Sequence, residues 1–134
     1  MAHQFPIRIY YDDTDAAGVV YYGNYLKFAE HGRTEWLREL AIEQSELREE
    51  KGIFFVVRHC AIDYLAPGRL DDELIIETSL LELGNASITM QQDVQRVADK
   101  RLLAQMKVTV VCVNEHLSPA RIPLDIRVRL QKEA

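Results

Sequence analysis

The sequence predicts an α+β domain in which one long helix packs against an antiparallel sheet, and two observations carry that prediction. From about residue 22 or 24 to residue 41, apolar side chains recur at Tyr25, Phe28, Ala29, Gly32, Trp36 and Leu40. Lys27, Glu30, Arg33, Glu35, Arg38 and Glu39 fall elsewhere on the same turns. That spacing is the stripe of an amphipathic helix. Downstream, four strand-like segments follow one another with turn residues between them, a hairpin spacing that implies an antiparallel meander. One helix covers only one face of such a sheet, and an open sheet keeps two edges, so pairing with a second copy of the chain is expected.

Each element has its own signal. Ile7, Ile9 and Tyr11 alternate with Arg8 and Tyr10, which fits a short half-buried strand. An aspartate-rich loop follows, and then the long helix, for which Asn24 is a candidate cap. Lys27, three residues later, denies it a capping box. Gly32 lies on the apolar stripe, where a missing side chain lets another backbone come close; a glycine there costs about 1 kcal/mol of helix propensity against alanine. Residues 43–51 read as a short polar helix closed by Gly52. Residues 54–65 are rich in aromatic and β-branched side chains and stop at Ala66-Pro67-Gly68, a turn signal. Residues 74–83 form the next strand, ended by Gly84-Asn85. Ile88, Met90, Gln92 and Val94 then alternate with Ser87, Thr89, Gln91, Asp93 and Gln95, a strand with one wet face. Asp99-Lys100 turns the chain into residues 102–113, which are apolar enough to lie inside the sheet. Ser118-Pro119 marks a loop, and Pro123 suits the first turn of a closing helix that runs to about residue 132.

Composition narrows the function. A length of 134 residues suits a single domain, residues 1–134, and 48% hydrophobic with 28% charged residues is ordinary globular usage. Sixteen basic against 21 acidic residues give a formal charge of −5. That balance argues against nucleic acid or an anionic membrane as a partner, since both require a positive surface. Cys60 and Cys112 each sit in an apolar strand-like segment and are expected to be buried free thiols. No CxxC is present, so neither a disulfide framework nor a zinc site is expected. Met1-Ala2-His3-Gln4-Phe5-Pro6 lacks the basic and apolar regions of a signal peptide. No apolar run approaches the roughly 20 residues that span a bilayer. The expected location is cytoplasmic, with no transmembrane segment.

The chemistry concentrates before the long helix. Asp12, Asp13 and Asp15 are followed by Gly18 and then by Tyr21 and Tyr22. An acidic loop aimed at a helix start combines a base or nucleophile with free backbone N–H donors, two parts that acyl-group chemistry needs. A plain turn, with Asp and Thr bonding their own backbone, accounts for the same residues. Other candidates are weaker. His3 is terminal, His116 falls in a loop, and His59 fits a hydrogen-bonded structural residue in a strand. His31 and Glu35 are four apart but lack the second histidine of a zinc motif, and no serine stands in GxSxG. Gly18 and Gly23 do not form a phosphate-cradling loop. Arg33, Arg38, Arg58, Arg69 and Arg121 each read singly as solvated surface charges.

At this point a resemblance enters. Asp13-Thr14-Asp15-Ala16-Ala17-Gly18-Val19-Val20-Tyr21-Tyr22-Gly23-Asn24-Tyr25, followed by Phe28, Glu30 and Arg33-Thr34-Glu35, resembles the acyl-CoA thioesterases of the hotdog fold. The branch is that of 4-hydroxybenzoyl-CoA thioesterase and YbgC. The likeness continues through Asp63-Tyr64-Leu65-Ala66-Pro67 and Asp71-Asp72-Glu73-Leu74 and covers essentially the whole chain.

The resemblance implies a long helix wrapped by a five-stranded antiparallel sheet, assembled as a homodimer or homotetramer. It implies hydrolysis of a short-chain or aromatic acyl-CoA, with no metal and no cofactor beyond the coenzyme A of the substrate. It assigns the catalytic carboxylate to Asp15, as nucleophile or general base, and the donor to the thioester carbonyl to the backbone N–H of Tyr22. It assigns the substrate site to Gly18, Val20, Gly23 and Tyr25, a structural role to Asp13, and a supporting role to the helix pair Glu30 and Arg33. At Tyr22 the likeness divides, because the YbgC branch carries histidine there and the hydroxybenzoyl enzymes carry tyrosine. Two alternatives stay open. A hotdog dehydratase needs a pocket histidine with a carboxylate, and His31, the best placed, lies on the helix. A non-enzymatic module would instead bind an acyl carrier protein or an envelope partner through its sheet edge.

Overall fold

The computed structural model describes residues 2–133. Strand β1, His3–Arg8, turns Phe5 and Ile7 toward the core and Pro6 outward. A proline without an N–H is tolerated there because β1 is an edge strand. The strand begins and ends earlier than the alternation of Ile7, Ile9 and Tyr11 suggests. Tyr11–Asp13 instead form a single 3₁₀ turn.

Helix α1, Asn24–Glu39, buries Tyr25, Phe28, Ala29, Gly32, Trp36 and Leu37 along one stripe. Helix α2, Gln44–Lys51, ends where Gly52 adopts φ +63° and donates its N–H to the Arg48 carbonyl at 3.2 Å. The remaining elements are β2 (Ile53–Tyr64), β3 (Glu73–Leu83), β4 (Ser87–Arg96), β5 (Leu102–Asn114) and α3 (Leu124–Gln131).

The sheet is antiparallel throughout, in the order β1-β3-β4-β5-β2. The meander expected from hairpin spacing holds for β3, β4 and β5 alone. Strand β2 does not lie beside its sequence neighbour β3. It crosses the sheet and pairs with β5, from Ile53 opposite Asn114 to Tyr64 opposite Ala104. Helix α1 lies across β1, β3 and β4, which gives the hotdog architecture.

Two contacts fix the helix on the sheet. Gly32 faces Ile76, so close that a Cβ on the glycine would stand 2.6 Å from Ile76 Cγ2. Beside it the fully buried Gln92 donates its amide to the Ala29 carbonyl at 2.8 Å and to Thr78 Oγ1 at 2.9 Å. A buried amide with both partners met locks the helix register against β3 and β4.

Edge strand β2 departs from its sequence. Most of its residues are apolar, yet helix α1 does not cover it, and Val57 is 50% exposed and Tyr64 46%. Cys112 is buried as expected, but Cys60 is exposed, because it stands on this uncovered edge.

Candidate active site

The loop before α1 is built on Asp13. Its carboxylate accepts the Tyr10 N–H at 2.9 Å and the Lys27 ammonium at 3.3 Å. Its carbonyl accepts the Tyr21 N–H at 2.9 Å and the Asn24 side-chain amide at 2.8 Å. Asp13 is therefore consumed in tying the end of β1 to the start of α1. Asn24 belongs to the same clasp rather than capping the helix, whose N-cap position is Gly23, a residue with no side chain to offer.

Beyond Asp13 the chain makes a miniature hairpin. Thr14 bridges Val20 and Val19 bridges Arg69. Asp15 donates its N–H to the Val19 carbonyl at 2.9 Å, and Gly18 donates to the Asp15 carbonyl at 3.0 Å. Gly18 sits at φ +80°, where L side chains are strained. At the tip, one carboxylate oxygen of Asp15 accepts the Ala17 N–H at 2.9 Å. The other has no partner among the described residues, and the side chain is exposed.

Next to this hairpin lies a cleft of about 320 Å³ lined by Val20, Tyr22, Tyr25, Tyr64, Leu65, Ala66 and Pro67. Three tyrosine rings form its wall in edge-on contact, Tyr22 and Tyr64 at 6.0 Å between centroids and Tyr25 and Tyr64 at 5.6 Å. The Tyr25 hydroxyl accepts the Gly68 N–H at 3.1 Å, and burial pushes its phenol above the usual range. Val20 donates its N–H to the Gly68 carbonyl at 2.8 Å, which closes the cleft floor.

The amides of Tyr22 and Gly23, at the start of α1, have no acceptor among the described residues. The first turn of α1 carries no acidic side chain. The positive end of a sixteen-residue helix is thus open to an acceptor from outside, the arrangement that receives anions and oxyanions.

Of the residues singled out from the sequence, Val20, Tyr22 and Tyr25 meet in the cleft. Gly23 stands at the helix start with its Cα packed toward the Tyr21 ring. Asp15 and Gly18 lie on the adjoining hairpin and do not line the cleft wall of the single chain. Tyr64, Leu65, Ala66 and Pro67 complete the wall. Their signal in the sequence was the end of the 54–65 strand at a proline turn and the family likeness of Asp63-Tyr64-Leu65-Ala66-Pro67, neither of which marks a cleft wall.

No histidine lines the cleft. His31 approaches Glu30 at 4.0 Å on the outside of α1, His59 is exposed without the hydrogen bond expected of it, and His3 pairs with Glu39 at 2.8 Å. A larger hollow of about 730 Å³ lies by His3, Trp36 and Leu40, and its lining includes none of the helix-start residues. A third hollow, of about 250 Å³, opens between α1 and β2 and is lined by Leu26, Ala29, Arg33, Val57, Cys60, Met106 and Val108. There Arg33 reaches Gln92 Oε1 at 3.5 Å, and burial lowers its pKa.

Residues 10–130 match the family model described as the thioesterase-like superfamily. The chain is 42% identical over 124 residues to the acyl-CoA thioesterase YbgC of Haemophilus influenzae, across 92% of this chain and 90% of that one. Among solved structures it is similar to a gentisyl-coenzyme A thioesterase, with TM-score 0.85 and 31% identity over 92% of this chain and 98% of the other. A mutant 4-hydroxybenzoyl-CoA thioesterase complexed with 4-hydroxybenzoyl-CoA superposes at TM-score 0.89 over 96% of this chain and 98% of that one. At 21% identity the likeness carries the fold.

Proposed function

The chain belongs to the thioesterase-like superfamily, and from that premise we propose that it hydrolyses a short-chain or aromatic acyl-CoA to the free acid and coenzyme A. The observation that carries the reading is the pair of unpartnered amides, Tyr22 and Gly23, beside a tyrosine-walled cleft. A thioester carbonyl seated there directs its oxygen at the helix start. As the carbonyl becomes tetrahedral, its growing negative charge meets donors already in place, so the transition state gains more than the substrate does.

Asp15 supplies the second part. The Ala17 amide holds one carboxylate oxygen and leaves the other free to react. As a nucleophile, the free oxygen bonds to the acyl carbon and the carbon–sulfur bond breaks, releasing the coenzyme A thiolate. Water then cleaves the mixed anhydride to the free acid and the Asp15 carboxylate, one of its protons going to the thiolate. As a general base, it takes a proton from a water whose oxygen bonds to the acyl carbon, and that proton goes to the departing thiolate. Either route returns Asp15 to its starting form.

The cleft supports this choice of acyl group. About 320 Å³ walled by three phenol rings suits a compact or aromatic acyl group better than a long chain. The similarity to a gentisyl-coenzyme A enzyme supports the aromatic case. We further propose a homodimer, or a homotetramer made of dimers, with a second copy laid on the exposed β2 edge so that Asp15 and the cleft are enclosed together. Exposed arginines such as Arg58 and Arg69 are suited to the phosphates of coenzyme A. The proposed compartment is the cytoplasm.

The test is a panel of acetyl-, 3-hydroxybutyryl-, benzoyl-, hydroxybenzoyl- and palmitoyl-CoA read by release of free thiol and by loss of substrate. Thiol release, fastest with the compact or aromatic acyl groups, is expected. Turnover of hydroxyacyl-CoA without thiol release would make the protein a dehydratase. No turnover beside stable binding of an acyl carrier protein would make it a binding module.

A further inference from the structure

Tyr64 closes β2 with its hydroxyl turned toward the helix start, where it donates to the Tyr22 carbonyl at 3.1 Å. That carbonyl and the Gly23 N–H are two ends of one peptide unit. The Tyr22 carbonyl has one other donor among the described residues, the Tyr25 N–H at a long 3.4 Å. The N-cap residue, Gly23, has no side chain with which to cap the helix. The hydroxyl makes the shorter of the two hydrogen bonds that this carbonyl accepts. The Tyr64 phenol is held above its usual pKa, chiefly by burial, and remains a donor at neutral pH. Its ring is braced edge-on against both Tyr22 and Tyr25.

We infer that Tyr64 is a positioning residue, which orients and polarises the Tyr22–Gly23 peptide so that the Gly23 N–H joins the Tyr22 N–H in holding the thioester oxyanion. The inference rests on the thioesterase reading and deepens it. A hydrogen bond accepted by a peptide carbonyl strengthens the donor at the other end of the same unit. When negative charge grows on the substrate oxygen, the Gly23 N–H is drawn toward it, the Tyr22 carbonyl becomes a better acceptor, and the Tyr64 bond tightens in turn. The gain belongs to the transition state and not to bound substrate, so it enters kcat and leaves KM alone. It also links the strand that borders the partner-facing edge to the catalytic amides, through one side chain across 42 residues of sequence.

Tyr64→Phe keeps the ring and removes the hydroxyl. Its kcat for the best acyl-CoA is expected to fall about tenfold, less than the hundredfold or more lost with a direct oxyanion donor. KM should stay within about twofold and the thermal midpoint within about a degree, since the ring packing is retained. An independent readout needs no turnover. In the ¹⁵N–¹H spectrum the Gly23 cross-peak should move on Tyr64→Phe substitution while those of the middle of α1 stay in place. An unmoved Gly23 resonance overturns the inference, as does an unchanged kcat or a loss confined to KM. Failure here with an active wild type and an inactive Asp15→Asn variant refutes the role of Tyr64 alone. A wild type inactive on every acyl-CoA refutes the thioesterase reading and this role with it.

Discussion

Two aspartates two positions apart, Asp13 and Asp15, have different fates, and hydrogen bonding decides which. Asp13 is 6% exposed and spends its carboxylate and its carbonyl on Tyr10, Lys27, Tyr21 and Asn24. Asp15 is exposed and spends one oxygen on Ala17. Only the second has capacity left for a substrate. Gly32 shows how finely one position can be set. Alanine there gains about 1 kcal/mol in helix propensity. Its Cβ would meet the fully buried Ile76 at 2.6 and 3.1 Å, and overpacking of that kind costs about 1–3 kcal/mol. The packing cost is the larger, so Gly32→Ala is expected to lower stability by about 1 kcal/mol. A fall in the urea midpoint at unchanged m-value checks this.

At the scale of elements, Arg96 at the end of β4 gathers three segments. It bonds Asp99 through two nitrogens at 3.0 and 2.9 Å, the Pro67 carbonyl at 3.1 Å and Asp72 at 3.4 Å. The β4–β5 turn is thereby held to the stretch that forms the cleft floor. The hydrogen bonds from Arg96 hold the Asp99 carboxyl down at about 2. A carboxyl depressed in the folded state contributes stability that is present above about pH 4 and disappears as the pH falls through about 2. Asp99→Asn removes that contribution, so its thermal midpoint should fall less steeply than the wild type's between pH 4 and pH 2. Added salt should narrow the difference, because the pair is exposed.

Elements are also where the sequence was most and least readable. Helix α1 and strand β4 were legible because a periodic apolar face records burial directly, and the inner strand β5 because a continuous apolar run does. The place of β2 was not, because periodicity says that a side is buried and does not say which strand lies alongside. That gap led to the expectation of a buried Cys60, when the edge position leaves it exposed. Asn24 looked like a cap by residue type, but the Asp13 carbonyl, eleven residues earlier, claims its side chain. Tyr64 lies in a stretch that carries the family likeness, but its role was not readable, since a strand-ending tyrosine carries meaning only once the fold sets it against the helix start.

For the whole molecule, the uncovered β2 edge is the feature that a single chain leaves unsatisfied. Its free backbone groups, with Leu26, Val57 and Cys60 around an apolar hollow, present a surface that a second copy can pair and bury. The protein is expected to run as a dimer or tetramer in size-exclusion chromatography with light scattering. Val57→Asp places a charge on that edge, at a position half exposed in the chain, and should yield a folded monomer with circular dichroism unchanged and thiol release largely lost. A variant that stays assembled and active would remove the edge from the account.

Asp15, pinned through one oxygen, is the residue proposed to cleave the thioester beside the amides of the α1 start. The most direct measurement is kcat for Asp15→Asn by thiol release, on protein whose thermal midpoint matches the wild type. Loss of a nucleophile or base predicts a fall of about a thousandfold or more, with KM little changed. A folded Asp15→Asn enzyme that turns over within a few-fold of wild type would show that Asp15 does not carry the chemistry.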